Sequence, residues 1–269
     1  MGSNYFDNIR DIYNKRYLNG YRDTLYGYEY ARWSALNHFI SKVLRTDNAK
    51  KVLDYGSGSG LYVDLWRTLF PLADLYFCDI SPVPLKMLIN KYPEFKSNWA
   101  LVESNRALFD NDYFDVVLSI EVMEHVENLN DYLKDIHRLI KPGGIFIWTT
   151  PCANRFSVEH IVNILTNNIE NTDDGYKRWK WEDPAHLRRM KSNEIKTKLQ
   201  EIGFDIFEFR FRAHFFSYVC TRLCKGPLTH FGEKLMLLDY FLFRKLSNGA
   251  SMIGSARILS RKMSEQKGY

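Results

Sequence analysis

Three glycines spaced two apart, Gly56-Ser57-Gly58-Ser59-Gly60, directly follow the apolar run Lys51-Val52-Leu53-Asp54 and open a helical stretch that reaches Phe70. Glycines at a strand-to-helix turn let backbone N–H groups approach a ligand closely, beside a helix N-terminus that favours negative charge. The spacing is G-x-G-x-G, not the G-x-G-x-x-G of dinucleotide enzymes. Asp54 stands two residues before the first glycine and suits a cationic ligand group better than a pyrophosphate. Asp79, 19 residues after Gly60, closes the next apolar run. A carboxylate at that point of an open α/β sheet can take both hydroxyls of a ribose in charge-assisted hydrogen bonds. It can equally cap the helix that begins at Pro82, although Ser81 is placed to do that job.

Histidine is the usual general base near neutrality, and the chain has seven. His125 follows a long buried strand. His186 has Asp183 close by to orient its ring. His214 and His230 are weaker candidates, and His38, His137 and His160 read as structural or exposed. No carboxylate or histidine pair has a spacing that demands Mg²⁺ or Zn²⁺, so no metal is expected. The Cys220/Cys224 pair has no second pair of ligands nearby, so plain buried thiols are expected. Tyr176-Lys177-Arg178-Trp179-Lys180-Trp181 interleaves aromatic and basic side chains; it reads either as a stacking and anion-binding strip or as an ordinary surface loop.

These residues need elements to hold them. Seven of the 17 tyrosines lie before position 31, and Tyr13, Tyr17 and Tyr21 recur at helical spacing. That stripe is either core packing or the ligand-facing side of a lid. From Lys50 onward strands and helices alternate. Strands are expected at 51–54, 75–79, 100–102, 114–120 and 145–149. A helix over 129–140 is stopped by Lys141-Pro142-Gly143-Gly144. After Pro151 come a polar stretch (163–183), a helix at 192–202, a strand at 204–211, apolar and basic helices over 213–247, and a last strand at 250–260. Alternation of this kind means a parallel sheet with helices on both faces.

Taken together, Val52-Leu53-Asp54-Tyr55-Gly56-Ser57-Gly58-Ser59-Gly60, Asp79, Phe114-Asp115-Val116-Val117 with Glu121-Val122-Met123-Glu124-His125-Val126, and Leu139-Ile140-Lys141-Pro142-Gly143-Gly144 resemble the class I S-adenosylmethionine-dependent methyltransferases. The nearest likeness is to the small-molecule group that includes ubiquinone-biosynthesis, natural-product and sugar methyltransferases. It covers residues 50–150 and, through Glu182-Asp183-Pro184-Ala185-His186-Leu187 and 199–204, extends to about 210. The resemblance implies a Rossmann-like, seven-stranded, mostly parallel sheet with helices on both faces and helical cap additions. It implies that Gly56, Gly58 and Gly60 line the cofactor's methionine and ribose, that Asp54 sits near the methionine amino group, and that Asp79 holds the ribose hydroxyls. Ile80 would pack on the adenine. Glu103-Ser104-Asn105 stands where the family often has Asp-Ala facing the adenine amine, a departure at Glu103. Ser119, Ile120 and Glu121 would lie under the sulfonium. Methyl transfer is an in-line displacement that needs alignment first and a base second; His186 and His125 are the expected catalytic residues.

With 45% hydrophobic and 26% charged residues, wholesale disorder is excluded. No apolar run is long enough to span a bilayer. The N-terminus has neither a secretory signal nor a myristoylation site, and four cysteines suggest a reducing compartment, so a cytoplasmic protein is expected. Residues 1–150 carry 17 Lys and Arg against 19 Asp and Glu, but residues 210–262 carry 10 against 2. That basic block is either a solvated face or attraction to something anionic, a substrate or a membrane surface; nucleic acid is not expected. The 213–247 helices read as a cap packed on the sheet edge or a dimer partner, or else as an interfacial helix for a lipid-linked substrate. The expected layout is a lid (1–45), a methyltransferase core (46–212), a cap insertion (213–247), and a final strand with tail (248–269). The acceptor is expected to be an oxygen, less often a nitrogen, of a small molecule, glycan precursor or lipid-linked compound. A cofactor-binding regulator without turnover and a nicotinamide-dependent oxidoreductase are the rival classes, the second disfavoured by the glycine spacing.

Overall fold

The computed structural model describes residues 2–21, 25, 27–44 and 46–258. Two helices, α1 (Gly2–Leu18) and α2 (Tyr28–Val43), precede the first strand, β1 (Lys51–Tyr55). Strand and helix then alternate through α3 (Val63–Leu69), β2 (Asp74–Asp79), α4 (Pro82–Lys91), β3 (Trp99–Glu103), β4 (Arg106–Ala107), β5 (Phe114–Ile120), α5 (Leu129–Leu139) and β6 (Ile140–Pro151). The looser stretch holds α6 (Val158–Leu165) and a small hairpin, β7 (Ile169–Asn171) and β8 (Lys177–Trp179). The chain closes with α7 (Ser192–Ile202), β9 (Phe204–Arg212), α8 (Phe215–Leu223), α9 (Thr229–Phe243) and β10 (Ser251–Ile258).

The main sheet runs in the order β4-β3-β2-β1-β5-β6-β10-β9. β3, β2, β1, β5 and β6 are mutually parallel, while β10 is antiparallel to both its neighbours. The seven strands expected are all there. The eighth, β4, is a two-residue strand that folds back on β3 through Ser104 and Asn105. Both turn residues have positive φ (49° and 61°), as a two-residue type I′ hairpin requires. The Pro-Gly-Gly signal ends α5 one residue early but does not break the chain's pairing. Ile140 already pairs with Phe114, and the register shifts before Ile145 meets Val116. Positions 259 and 260 of the expected last strand lie outside the described residues.

Buried apolar residues coat both faces of the sheet. β5 is buried along almost its whole length, as a central parallel strand must be. Gly254 lets β10 pass under the Trp148 ring, where an added Cβ would come within 2.2 Å of the indole. The connections reverse direction between β1 and β5, so a crevice opens above their carboxyl ends, the place where open α/β sheets bind ligands. Asp54, Asp79 and Glu121 are all carried to that edge.

Candidate active site

The cleft at the switch point is lined by Tyr55, Gly56, Asp79, Ile80, Asn105, Ile120 and Glu121 from the sheet edge. A smaller extension reaches Asp54, Ser57 and Tyr62. Gly56 (φ 79°) and Gly58 (φ 54°) hold left-handed backbone, and an added Cβ would strike Val122 at the first and the Tyr17 hydroxyl at the second. Gly60 sits behind the loop against Leu88 and Val63, so it serves helix packing rather than the cleft wall.

Asp54 is 2% exposed. Its Oδ2 accepts a hydrogen bond from Trp66 Nε1 at 2.8 Å, and its Oδ1 is buried without a partner. Burial pushes this carboxyl up to about 7, helped by the charge of Asp79 and opposed by the Trp66 bond. Asp79 accepts from the Gly58 and Ser81 N–H groups, both at 2.9 Å. Burial raises it to about 6 against those backbone bonds. Each oxygen of Asp79 keeps a lone pair for a further donor. Ser81 does occupy the N-cap position of α4, but its hydroxyl donates to Asn14 instead of capping the helix.

α1 closes the cleft from above. Ile9, Tyr13, Tyr17 and Tyr21 line it, so the tyrosine stripe faces the crevice. Polar contacts hold the helix down: Arg10 Nε donates to the Ile80 carbonyl at 3.0 Å, Ser81 Oγ to Asn14 at 2.6 Å, and Arg16 pairs with Asp183 at 2.5 Å.

At the end of β5, the Ser119 hydroxyl is occupied within the core, donating to the Tyr55 carbonyl and accepting from Tyr132. Ile120 lines the cleft. Glu121 has positive φ (57°); its Oε1 accepts from Thr149 at 2.7 Å and its Oε2 lies 3.5 Å from buried Arg32, which also reaches Tyr62. Glu103, the last residue of β3, and Ser104, in the turn that follows, are exposed and are not among the cleft-lining residues, while their neighbour Asn105 is.

His125 and His186 come together, their ring centroids 4.6 Å apart. His125 lines the cleft, and its Nδ1 donates to the Ala185 carbonyl at 2.8 Å, so Nε2 is the nitrogen turned toward Glu124. The expected partner of His186, Asp183, is taken by Arg16 and the Ala185 N–H. Glu182, four residues before His186 in the same turn-rich loop, faces its Nδ1 at 3.3 Å instead. Burial opposes ionisation of Glu182, but Arg189 and His186 outweigh it and hold its pKa down to about 2. Burial also works against a charge on His186; the Glu182 bond and the charges of Glu124 and Glu182 prevail, so its pKa lies above the ordinary value.

No metal group was expected from the sequence, yet Glu124, His125 and His186 each offer a ligand atom within 4.8 Å of the others. Glu124 is fully buried, its Oε2 accepts from Thr150, and its Oε1 lies 3.9 Å from His125 Nε2 without a hydrogen bond. Burial and nearby Glu121 raise its carboxyl to about 7. The signal that would have found this group is Glu121-Val122-Met123-Glu124-His125, two carboxylates and an imidazole within five residues. His186 joins only through the fold.

The other candidates are not among the residues that line the cleft. Within the Tyr176–Trp181 strip, Trp179 is wholly buried and donates to Glu159, while Trp181 is 52% exposed. His38 packs on Phe241, His137 on Phe204 and His160 on Trp179. His214 is buried against Asn248, and His230 is exposed beside Glu233. Cys78, Cys152, Cys220 and Cys224 are all free thiols.

A family model described as a methyltransferase domain matches residues 26–208. Over 255 residues the chain is 27% identical to an uncharacterized protein of Methanocaldococcus jannaschii, covering 91% of this chain and 90% of that one. It is 29% identical over 189 residues to a ubiquinone biosynthesis O-methyltransferase of Rickettsia canadensis, covering 65% and 72%. The fold is similar to that of geranyl diphosphate C-methyltransferase from Streptomyces coelicolor A3(2), solved with Mg²⁺, geranyl diphosphate and S-adenosyl-L-homocysteine: TM-score 0.62, 14% identity, 96% of this chain and 100% of that one.

Proposed function

Since the chain belongs to the methyltransferase-domain family and is an S-adenosylmethionine-dependent methyltransferase, we propose that it methylates an oxygen of a small molecule. The observation that carries this reading is the unpartnered Oδ1 of buried Asp54, one cleft away from the paired His125 and His186. A buried carboxylate oxygen with no donor fits an incoming ammonium group, and the histidine pair fits an acceptor hydroxyl. The name of the Rickettsia relative supports oxygen as the acceptor atom.

When bound, S-adenosylmethionine supplies an electrophilic methyl on a sulfonium. Asp54 would bind the amino end, Asp79 the ribose hydroxyls, and Ile80 with Asn105 the adenine side. Gly56 and Gly58 would leave room for the methionine and ribose, with Gly60 supporting the loop. Ile120 and Glu121 would form the floor beneath the sulfonium, with Ser119 bracing them from the core. Tyr13, Tyr17 and Tyr21 would exclude water from above. Alignment of this kind supplies ~7–11 kcal/mol at its upper end, and a histidine accepting the hydroxyl proton adds roughly 10²–10⁴-fold. His186, oriented by Glu182, would be that base, or His125 through Nε2. In this reading residues 1–45 form the lid, 46–212 the core, 213–247 the cap and 248–269 the closing strand and tail; the free thiols suit a cytoplasmic setting.

The test is transfer of labelled methyl from S-adenosylmethionine to phenol, catechol and sugar pools. Product should be a methyl ether, and His186→Ala or His125→Ala should lower its rate of formation by roughly 10²–10⁴-fold while cofactor binding persists. Product confined to carbon, or a kcat unchanged in both His186→Ala and His125→Ala, contradicts the proposal.

A second reading is favoured by the buried Oε1 of Glu124, which accepts no hydrogen bond. Together with His125 and His186 it would hold a divalent ion whose charge lowers the pKa of an acceptor hydroxyl. The mixed carboxylate and imidazole set suits Zn²⁺ or Mn²⁺. Loss of turnover on chelation, restored by added ion, selects this reading; turnover indifferent to chelators selects the histidine base.

A further inference from the structure

α9 has a buried side of mixed character and an exposed side that is largely apolar. One side, Gly232, Glu233, Met236, Asp239 and Tyr240, is buried against the body of the protein. The other carries Phe231, Lys234, Leu238, Phe241 and Leu242 at helical spacing, with Lys245 just past the helix end, a stripe largely turned to solvent although Phe241 also meets His38. Its four apolar side chains are 43% to 59% exposed. Isolated exposed leucines need no explanation, but a helix-long apolar stripe marks a surface that docks on something.

Charge identifies what it docks on. The block 210–262 has 10 Lys and Arg against two carboxylates, Glu233 and Asp239. Both acids are buried and turned inward. Glu233 accepts from the Gly27 N–H and pairs with His230. Asp239 accepts from the N–H groups of His214, Phe215 and Phe216 and from the Ser217 hydroxyl, capping α8. The outward side of α8 and α9 therefore presents apolar residues with exposed Arg222, Lys225, Lys234 and Lys245 and no carboxylate. A second copy of the same surface would set these cations against one another. An anionic bilayer surface complements both the apolar stripe and the charge. α9 has 15 residues, and no described helix is long and apolar enough to cross a membrane, so the geometry is that of a helix lying in the interface.

We propose that the outward side of α9, flanked by the basic residues of α8 and its following loop, docks this enzyme peripherally on anionic lipid bilayers. The full-length protein is sedimented with vesicles of phosphatidylcholine alone or with ~30 mol% phosphatidylglycerol. It should pellet with the anionic vesicles and stay in solution with the neutral ones. Leu238→Glu with Leu242→Glu should cut the bound fraction ~10-fold or more. Lys234→Glu with Lys245→Glu should do so most strongly at low salt. Both double variants should keep the thermal shift given by S-adenosylhomocysteine, which shows that they fold. Equal pelleting of wild type and the Leu238/Leu242 variant, or no pelleting of the wild type, overturns the proposal. So does a wild-type dimer in light scattering that the same leucine substitutions convert to monomer, since a second copy would then cover the stripe.

Discussion

Lowering the pH from 8 to 6 is expected to weaken S-adenosylhomocysteine binding ~10-fold through Asp54 alone. The carboxyl of unliganded Asp54 is raised to about 7 from an ordinary 3.8, chiefly by burial. A ligand ammonium pairs with the ionised form only. At pH 6 about nine-tenths of the sites must lose a proton first, and at pH 8 about one-tenth must. Asp79, raised to about 6, adds a further factor of ~2 at pH 6. The same shift bears on folding with a definite sign. A carboxyl whose folded pKa lies above its unfolded value opposes folding once the unfolded chain ionises. The unliganded fold therefore loses at most ~4 kcal/mol as pH climbs from about 4 through about 7. Asp54→Asn should accordingly raise Tm at pH 8 without ligand, since its amide keeps the Trp66 partner and removes a buried charge. It should also bind the ligand at least ~10-fold more weakly and flatten the pH dependence. Calorimetric titration across pH 6 to 8, with thermal melts of both proteins, checks all three. A Kd that is flat with pH, or an Asn variant that binds as wild type does, would refute the placement of the ammonium at Asp54.

Other outcomes follow from the same geometry. Arg16→Ala removes a partly exposed clasp on α1, so it should raise the cofactor Kd a few-fold, about 1 kcal/mol or less, with little change in Tm. Gly254→Ala drives a methyl into the Trp148 ring and should lower stability by ~1–3 kcal/mol or more, visible as a lower urea midpoint. Glu182→Gln leaves Arg189 with Glu159 as its remaining acid partner and deprives His186 of its orienting carboxylate. It should lower kcat more than it changes cofactor Kd, as measured by steady-state kinetics beside titration.

Strands β1, β2 and β5 were legible because continuous apolar runs ended in glycine or an acidic residue, and each forms within a residue or two of its expected span. The hairpins were not. β4 has two residues and β7 and β8 three each, too short for any period to show, and β4 depends on positive φ at Ser104 and Asn105. Glu103, just before that small turn, is exposed and not at the cleft-facing place the resemblance implied. The glycine loop, Asp54 and Asp79 could be placed from the sequence because they sit at strand ends, whose position in an open sheet is fixed by topology. The partner of His186 could not. Asp183 is near in sequence, but the chain turns so that Glu182 faces the ring and Asp183 faces Arg16 on α1, 167 residues away. The Glu124–His125–His186 group likewise spans about sixty residues and exists only once the segment after β6 folds back over the end of β5.

The central claim is that S-adenosylmethionine binds at the carboxyl ends of β1 and β2. It is tested most directly by calorimetric titration of S-adenosylmethionine and S-adenosylhomocysteine into wild type and Asp79→Ala at pH 8. Micromolar binding that Asp79→Ala weakens ~10-fold or more, about 1.4 kcal/mol, is the predicted result. Equal affinity in the two proteins, or no heat and no thermal shift from either ligand with wild type, would contradict it.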